Sequence, residues 1–370
     1  MSPKRFYRRV RIRCDPCACP YPSRMSVGIL GLTEKQFLAE ADNLSMTPAA
    51  AGRHWRQLFR QGTLPPEIQG KVKIPSMPIV RREPDGDTLK FAQQLEGGLE
   101  TESVILPQRG RTGRIRTSLC VSSQVGCAMG CRFCETATLG RRQQLTTDEI
   151  VGQWFAARHS EGRSITNIVF MGMGEPTDNI ESVLQAIRVL TEHGGPAIPA
   201  SRISVSTVGR SQGIERLAEF ANEPGFRQLR LAVSLNAPDD AVRQTLMPVN
   251  RAEPMADLHA AMSAWPAGNR LPILVEYVLI PGVNNAPGHA TAVAKFLQGL
   301  SVNLNVIPYN PIRDSPWLAP TESEVVAFCA EAREAGLRTK RRRTMGRDAM
   351  AACGQLGNPA LKRERPTRSK

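Results

Sequence analysis

Three cysteines on one short stretch carry chemistry in this chain. Gly126-Cys127-Ala128-Met129-Gly130-Cys131-Arg132-Phe133-Cys134 separates its thiols by three and then two residues. From one loop, each thiolate can bind one iron of a cubane 4Fe–4S cluster, a group ordinarily held by four cysteines. With three, one iron keeps an open coordination position where a small molecule can bind. A zinc ion is the alternative, but a structural zinc site closes with four protein ligands, and no fourth ligand is near in sequence. Cys120 lies on the approach to this loop. Cys353 precedes Gly354 in a C-terminal loop. Cys329, in Val325-Val326-Ala327-Phe328-Cys329, falls on an apolar helix face and belongs to the core. The chain has 9 cysteines without the spacing of a small disulfide scaffold, which points to metal or redox chemistry.

The elements that must position these thiols follow from the pattern. After Ser118, strands alternate with amphipathic stretches. Strands are expected at Leu119–Ser123, Ile168–Met171, Ile203–Ser206, Leu231–Leu235, Ile273–Leu279, Leu304–Ile307 and Arg338–Arg342. Helices are expected at Asp148–Arg158, Ile180–His193, Gly213–Asn222, His289–Leu297 and Glu322–Ala335. Repeated β-α units build a parallel sheet. Six or so units fall short of an eight-stranded barrel, so the α/β class and a partial, open (β/α)6 barrel are expected, with functional loops after the C-terminal ends of strands.

Upstream, residues 27–107 read as a small helical and hairpin accessory domain that contacts RNA. Thr33 caps a helix, and His54, Trp55, Leu58 and Phe59 share one core-facing helix face. Val80–Glu83, a turn at Asp85-Gly86 and Thr88–Ala92 form a hairpin. Residues 1–26, with Cys14, Cys17 and Cys19 among prolines, read as a disordered extension or as sequence preceding a true start at Met25. The barrel then spans 108–358, and 359–370 is a basic tail.

The formal net charge is +14 over 370 residues, which suits a polyanionic partner. Basic residues concentrate at Lys4–Arg13, at Arg109–Arg116, and from Arg338 through Lys340, Arg341, Arg342 and Arg343 to the tail. Arg111, Arg114, Arg341 and Arg342 flank cysteines and are expected to touch RNA phosphates. There is no apolar run of membrane-spanning length, nor the apolar core of a signal peptide. A cytoplasmic location without a membrane is the expectation.

C-x3-C-x2-C with an aromatic residue before the last cysteine resembles the signature of the radical S-adenosylmethionine (SAM) superfamily, in which the open iron chelates SAM. A finer resemblance covers about residues 27–358. Leu119-Cys120-Val121-Ser122-Ser123-Gln124-Val125-Gly126-Cys127 is similar to the cluster approach of the RlmN/Cfr family of radical SAM RNA methyltransferases. Phe170-Met171-Gly172-Met173-Gly174-Glu175-Pro176, Ser206-Thr207-Val208-Gly209, Ser234-Leu235-Asn236-Ala237-Pro238, Pro308-Tyr309-Asn310-Pro311 and Ala351-Ala352-Cys353-Gly354-Gln355-Leu356 follow in the family's order.

That resemblance implies methylation of an adenosine base, at C2 or C8, in RNA: 23S ribosomal RNA, with transfer RNA as a second substrate. It implies a 4Fe–4S cluster on Cys127, Cys131 and Cys134. It implies SAM contacts from Gly174, Glu175, Ser206, Ser234, Leu235, Asn236 and Asn310. Asn236 stands where the family commonly has histidine, so no imidazole titrates there. Cys353 is implied to take a methyl group from one SAM. A radical from a second SAM activates that group, which joins adenine in a covalent RNA–protein intermediate. Cys120 resolves it and leaves a Cys120–Cys353 disulfide. Glu102 matches the family's proton acceptor, with Glu100 as the alternative in a shifted register. The stretch 344–350 departs from the family's acidic pattern, and Val208 lies nearer the C8 subgroup. A low-potential donor such as flavodoxin and a monomeric state are implied as well. Two rivals stay open: a radical SAM enzyme with a non-RNA substrate, which needs neither Cys120 nor Cys353, and an inactive RNA-binding paralogue.

Overall fold

The computed structural model describes residues 27–109, 113, 115–266, 271–342, 345–346 and 349–361. Cys14, Cys17, Cys19, Arg111, Arg114, Arg343 and the tail from 362 lie outside the described residues.

Ten strands form one sheet in strict chain order. They are β1 (Ile79–Asp85), β2 (Thr88–Gln94), β3 (Glu100–Arg109), β4 (Ile115–Cys120), β5 (Asn167–Phe170), β6 (Ile203–Thr207), β7 (Arg230–Ser234), β8 (Ile273–Leu279), β9 (Val302–Pro308) and β10 (Thr339–Arg341). β1 to β4 pair antiparallel. β4 to β10 are all parallel. The change follows from the connections. Asp85-Gly86 turns tightly, whereas parallel neighbours need a crossover of a dozen or more residues. The hairpin expected upstream therefore continues the barrel sheet. β3 runs through residue 107, where the accessory unit was expected to end.

The helices are α1 (Glu34–Ala39), α2 (Pro48–Gln61), α3 (Glu135–Thr138), α4 (Thr147–Phe155), α5 (Ile180–Thr191), α6 (Ser211–Asn222), α7 (Asp240–Leu246), α8 (Met255–Ser263), α9 (His289–Phe296) and α10 (Glu322–Glu334). Thr33 caps α1 in a capping box with Gln36, and Thr146 with Glu149 does the same for α4; each satisfies orphan backbone donors at both ends of the box. The expected helices at 180, 213, 289 and 322 form, each within two residues of the reading at its start. The short α3 and α7 carry too few turns for a clear apolar period, and in α8 alanines lie on both faces, Ala261 buried and Ala256 and Ala260 exposed.

Val183, Leu184, Ile187 and Leu190 of α5 are buried with Val205 of β6 and Val275 and Leu279 of β8 in the main core. Cys329 is core, as expected. Trp55, Leu58 and Phe59 are buried, and His54 is half-buried. Trp55, Phe59 and Trp154 stack in series at 4.4 and 6.1 Å, which fixes α2 on α4. Among the described residues, no helix is long and apolar enough to cross a membrane.

Candidate active site

Cys127, Cys131 and Cys134 line one cavity at the C-terminal ends of the parallel strands. The loop that presents them depends on Gly126. Its φ is +72°, and a Cβ there would lie 1.8 Å from the carbonyl oxygen of Gly140. Only glycine combines that conformation with that approach. Arg132 donates its backbone N–H to the carbonyl of Leu246 (2.9 Å), which fastens the loop to α7.

Burial pushes the Cys127 thiol up to about 12 and the Cys131 and Cys134 thiols above their ordinary value. The thiols also raise one another, while buried Arg243 opposes the rise at Cys131. Such thiols ionise readily only against a cation. Among the described residues, no three donors converge as ligands of a single ion. A cubane does not ask for that convergence, because each thiolate takes a different iron. The three desolvated thiols on one wall fit the cluster.

The strand-end residues expected to hold SAM divide into two groups. Gly174, Glu175, Ser206, Ser234 and Asn236 line the cavity; Leu235 and Asn310 are buried and do not line it. Gly174 has φ +100°, and a Cβ would lie 2.5 Å from the Gln124 side chain. The Glu175 carboxylate accepts from the backbone N–H and hydroxyl of Thr177 (3.1 and 2.6 Å) and from the N–H of Val208 (2.9 Å). Both its oxygens are thus engaged in joining the ends of β5 and β6. Asn236 takes φ +59°, a conformation asparagine tolerates. Its side chain accepts from Val278 N–H (2.8 Å) and donates to Met247 Sδ (3.3 Å). These bonds brace β7 against β8 and α7.

Cys353 also lines this cavity, exposed to it. Its loop is fastened on several sides. Glu135 N–H donates to Gly354 O (2.7 Å), Thr136 Oγ1 to Leu356 O (2.6 Å), and Gln355 Nε2 to Pro311 O (3.0 Å). Glu135 and Thr136 directly follow Cys134, so the cluster loop and the Cys353 loop are one unit.

Cys120 ends β4, is buried, and is not among the residues lining the cavity. Burial pushes its thiol up to about 12; the charge of Cys353 raises it further, and Arg342 opposes. Cys353 opens onto the cavity, and desolvation by the surrounding cavity walls raises its thiol, with Arg342 lowering it and Glu276 raising it. The two cysteines therefore share one cation. The disulfide implied between them is not present: Cys120 and Cys353 are both free cysteines.

Glu102 is buried, at 2% exposure, and does not line the cavity. One oxygen pairs with Arg81 (2.8 Å) and the other accepts from Gly357 N–H (2.8 Å). Glu100 pairs with the same arginine (3.1 Å) and accepts from Asn358 Nδ2 (3.1 Å).

Arg341 is exposed and ion-paired with Glu322. Arg342, expected to touch RNA phosphates, is half-buried and places its guanidinium 3.9 Å from buried Glu276.

The Radical SAM superfamily model matches residues 121–292. A "Probable dual-specificity RNA methyltransferase RlmN 1" of Protochlamydia amoebophila is 43% identical over 291 residues, covering 78% of each chain. The chain belongs to the RlmN family of radical SAM RNA methyltransferases. A "Dual-specificity RNA methyltransferase RlmN" of Syntrophobacter fumaroxidans is 40% identical over 78% of this chain and 82% of its own. A radical SAM methyltransferase from Sphaerobacter thermophilus superposes with a TM-score of 0.82 at 34% identity, covering 89% of this chain and 98% of that one. Membership in the RlmN family implies a 4Fe–4S cluster and SAM as cofactors, in keeping with the three thiols and the strand-end cradle.

Glu276 was not singled out from the sequence. It lines the cavity and is 4% exposed. A lone charge inside Ile273–Leu279, a strand otherwise apolar or aromatic, was the available signal, because charged residues are almost never fully buried without a role. Arg243, 0% exposed, carried no such signal, because α7 also holds Asp240, Gln244 and Thr245.

Proposed function

We propose that this protein methylates an adenosine base in RNA, at C2 or C8, with 23S ribosomal RNA as the principal substrate and transfer RNA as a second. The observation that carries the reading is the placement of Cys353 in the cavity lined by the three cluster thiols, Gly174, Glu175, Ser206, Ser234 and Asn236. A radical SAM enzyme of another substrate class needs no loop cysteine there.

The chemistry runs as follows. An adenine C–H carbon is not a nucleophile toward a methyl cation. A thiolate is, so Cys353 carries the carbon as a thioether. Cluster and SAM together supply the oxidising radical that makes this carbon reactive. Once the carbon joins the base, the chain is bound covalently to RNA. Attack of the Cys120 thiolate on the Cys353 sulfur forms the S–S bond and breaks the C–S bond, the outcome of thiolate attack on an activated sulfur. The radical adduct gives up one electron, to the redox group the three cysteines would hold, and the ring C–H its proton; the carbon then leaves with the base and takes up a proton to become a methyl group. A low-potential donor of the flavodoxin kind supplies the electrons, and the setting is cytoplasmic.

The test is mass spectrometry of ribosomal and transfer RNA nucleosides from cells with and without the protein. A methyladenosine that disappears with the protein is expected. An unchanged nucleoside profile in both RNAs would contradict the reading.

A further inference from the structure

Glu276 is the buried group of the cavity with unfinished chemistry. Its oxygen Oε1 accepts from Asn305 Nδ2 at 2.9 Å and lies 3.9 Å from the Arg342 guanidinium. Oxygen Oε2 is fully buried and, among the described residues, has no hydrogen-bond partner. Buried polar atoms are nearly always paired, and a desolvated carboxylate oxygen left unpaired is costly. Burial raises the Glu276 carboxyl, and Arg342 and Asn305 lower it; in the ionised form that the guanidinium favours, it is acceptor-only. The missing partner is therefore an N–H or O–H donor.

The place narrows the donor. Glu276 sits level with Ser234 on the neighbouring strand, and it lines the cavity together with Cys353. On the reading above, the base joined to Cys353 must enter this space. Adenine has one donor on its ring system, the exocyclic amino group; its ring nitrogens accept. Guanine and hypoxanthine present a carbonyl at the same position, which would face the carboxylate with like partial charge.

From this arrangement we infer that Glu276 recognises the target adenine, with Oε2 accepting an N–H of the exocyclic amino group and Arg342 and Asn305 holding the carboxylate in place. The inference rests on the proposed function. It adds a residue that selects adenine over guanine.

The test uses the cluster-loaded full chain carrying Cys120→Ala, in which RNA adducts accumulate. Glu276→Gln and Glu276→Leu are added to this parent, and two quantities are read from the purified protein. One is the S-methyl group on Cys353, by peptide mass; the other is the nuclease-sensitive RNA adduct. A lost hydrogen bond to a buried charged group predicts an adduct yield reduced on the order of ten- to a hundredfold in Glu276→Leu. The loss in Glu276→Gln, which keeps one acceptor oxygen and the shape, should be smaller. The Cys353 methyl group should persist in both.

Loss of the S-methyl group from Glu276→Gln would overturn the inference, because Glu276 would then serve the thiol or SAM rather than the base. An undiminished adduct in both variants would overturn it as well. Absence of the adduct from the parent would instead contradict the underlying function, and with it this inference. Iron content of each variant shows that the fold and cluster are retained.

Discussion

The carboxylate of Glu102 accepts the backbone N–H of Gly357 at 2.8 Å, which ties β3 to the loop that carries Cys353. Its other oxygen is held by Arg81, so both oxygens are committed to structure. Glu102→Ala should remove an anchor of roughly 1–3 kcal/mol. Amide hydrogen exchange in residues 349–361 should then quicken by about tenfold or more, since 1.4 kcal/mol corresponds to a factor of ten. Glu102→Gln keeps an acceptor for Gly357 and should exchange more slowly than the alanine variant. Covalent RNA adduct formation separates this tether from a proton acceptor. A tether predicts that Glu102→Gln still releases methylated RNA and holds no adduct; an essential proton acceptor predicts that the adduct accumulates unreleased even though exchange stays slow.

Arg243 is completely buried and joins three elements. It donates to Asn250 Oδ1 (2.7 Å), to Glu253 O (3.0 Å) and to Leu235 O (3.3 Å). Burial draws its guanidinium down to about 10, which still leaves it charged at neutral pH. Arg243→Met removes these bonds and leaves several acceptors unpaired, a cost of about 3 kcal/mol or more. Thermal denaturation should show a clear fall in Tm. Iron retention should fall too, because the same residue favours the thiolate of Cys131. An unchanged Tm would contradict the buried network.

The chemical reactivity of Cys353 should depend on pH through Arg342. Desolvation by the cavity walls raises the Cys353 thiol and Arg342 lowers it. The thiolate fraction increases with pH, so alkylation of unmethylated Cys353 by iodoacetamide should be slow at neutral pH and rise well into the alkaline range. Removing the cation in Arg342→Met raises the thiol further, and the profile should move to higher pH. Arg342→Lys should restore part of the shift. Peptide mass after timed alkylation reads the rate; identical profiles for wild type and Arg342→Met would contradict the shared cation.

Much of this site was legible because its residues sit in short contiguous motifs. Ser206 and Ser234 lie where strands end and Gly174-Glu175 shortly after one, and period and spacing locate strand ends; the cluster thiols and the Cys353 loop are legible from their own short motifs. Long-range polar pairing was less legible. Nothing local in Glu102-Ser103-Val104 tells that Glu102 meets Gly357, 255 positions away. Arg342 read as part of a basic run, and only the packing of β9 beside β10 and β8 shows that it faces Glu276. The hairpin at Asp85-Gly86 was clear from its turn residues; its continuation into the barrel sheet depends on a pairing of β3 with β4 that turn chemistry does not specify.

The most direct measurement concerns the two cysteines outside the cluster. Cys120→Ala protein, purified from cells, should carry RNA bound covalently, visible as a nuclease-sensitive shift on a denaturing gel. After nuclease and protease digestion, the nucleotide should map to Cys353 through one added carbon. Cys353→Ala, alone or with Cys120→Ala, should show no adduct. Full methylation of RNA by Cys120→Ala, or an adduct on a residue other than Cys353, would contradict the account.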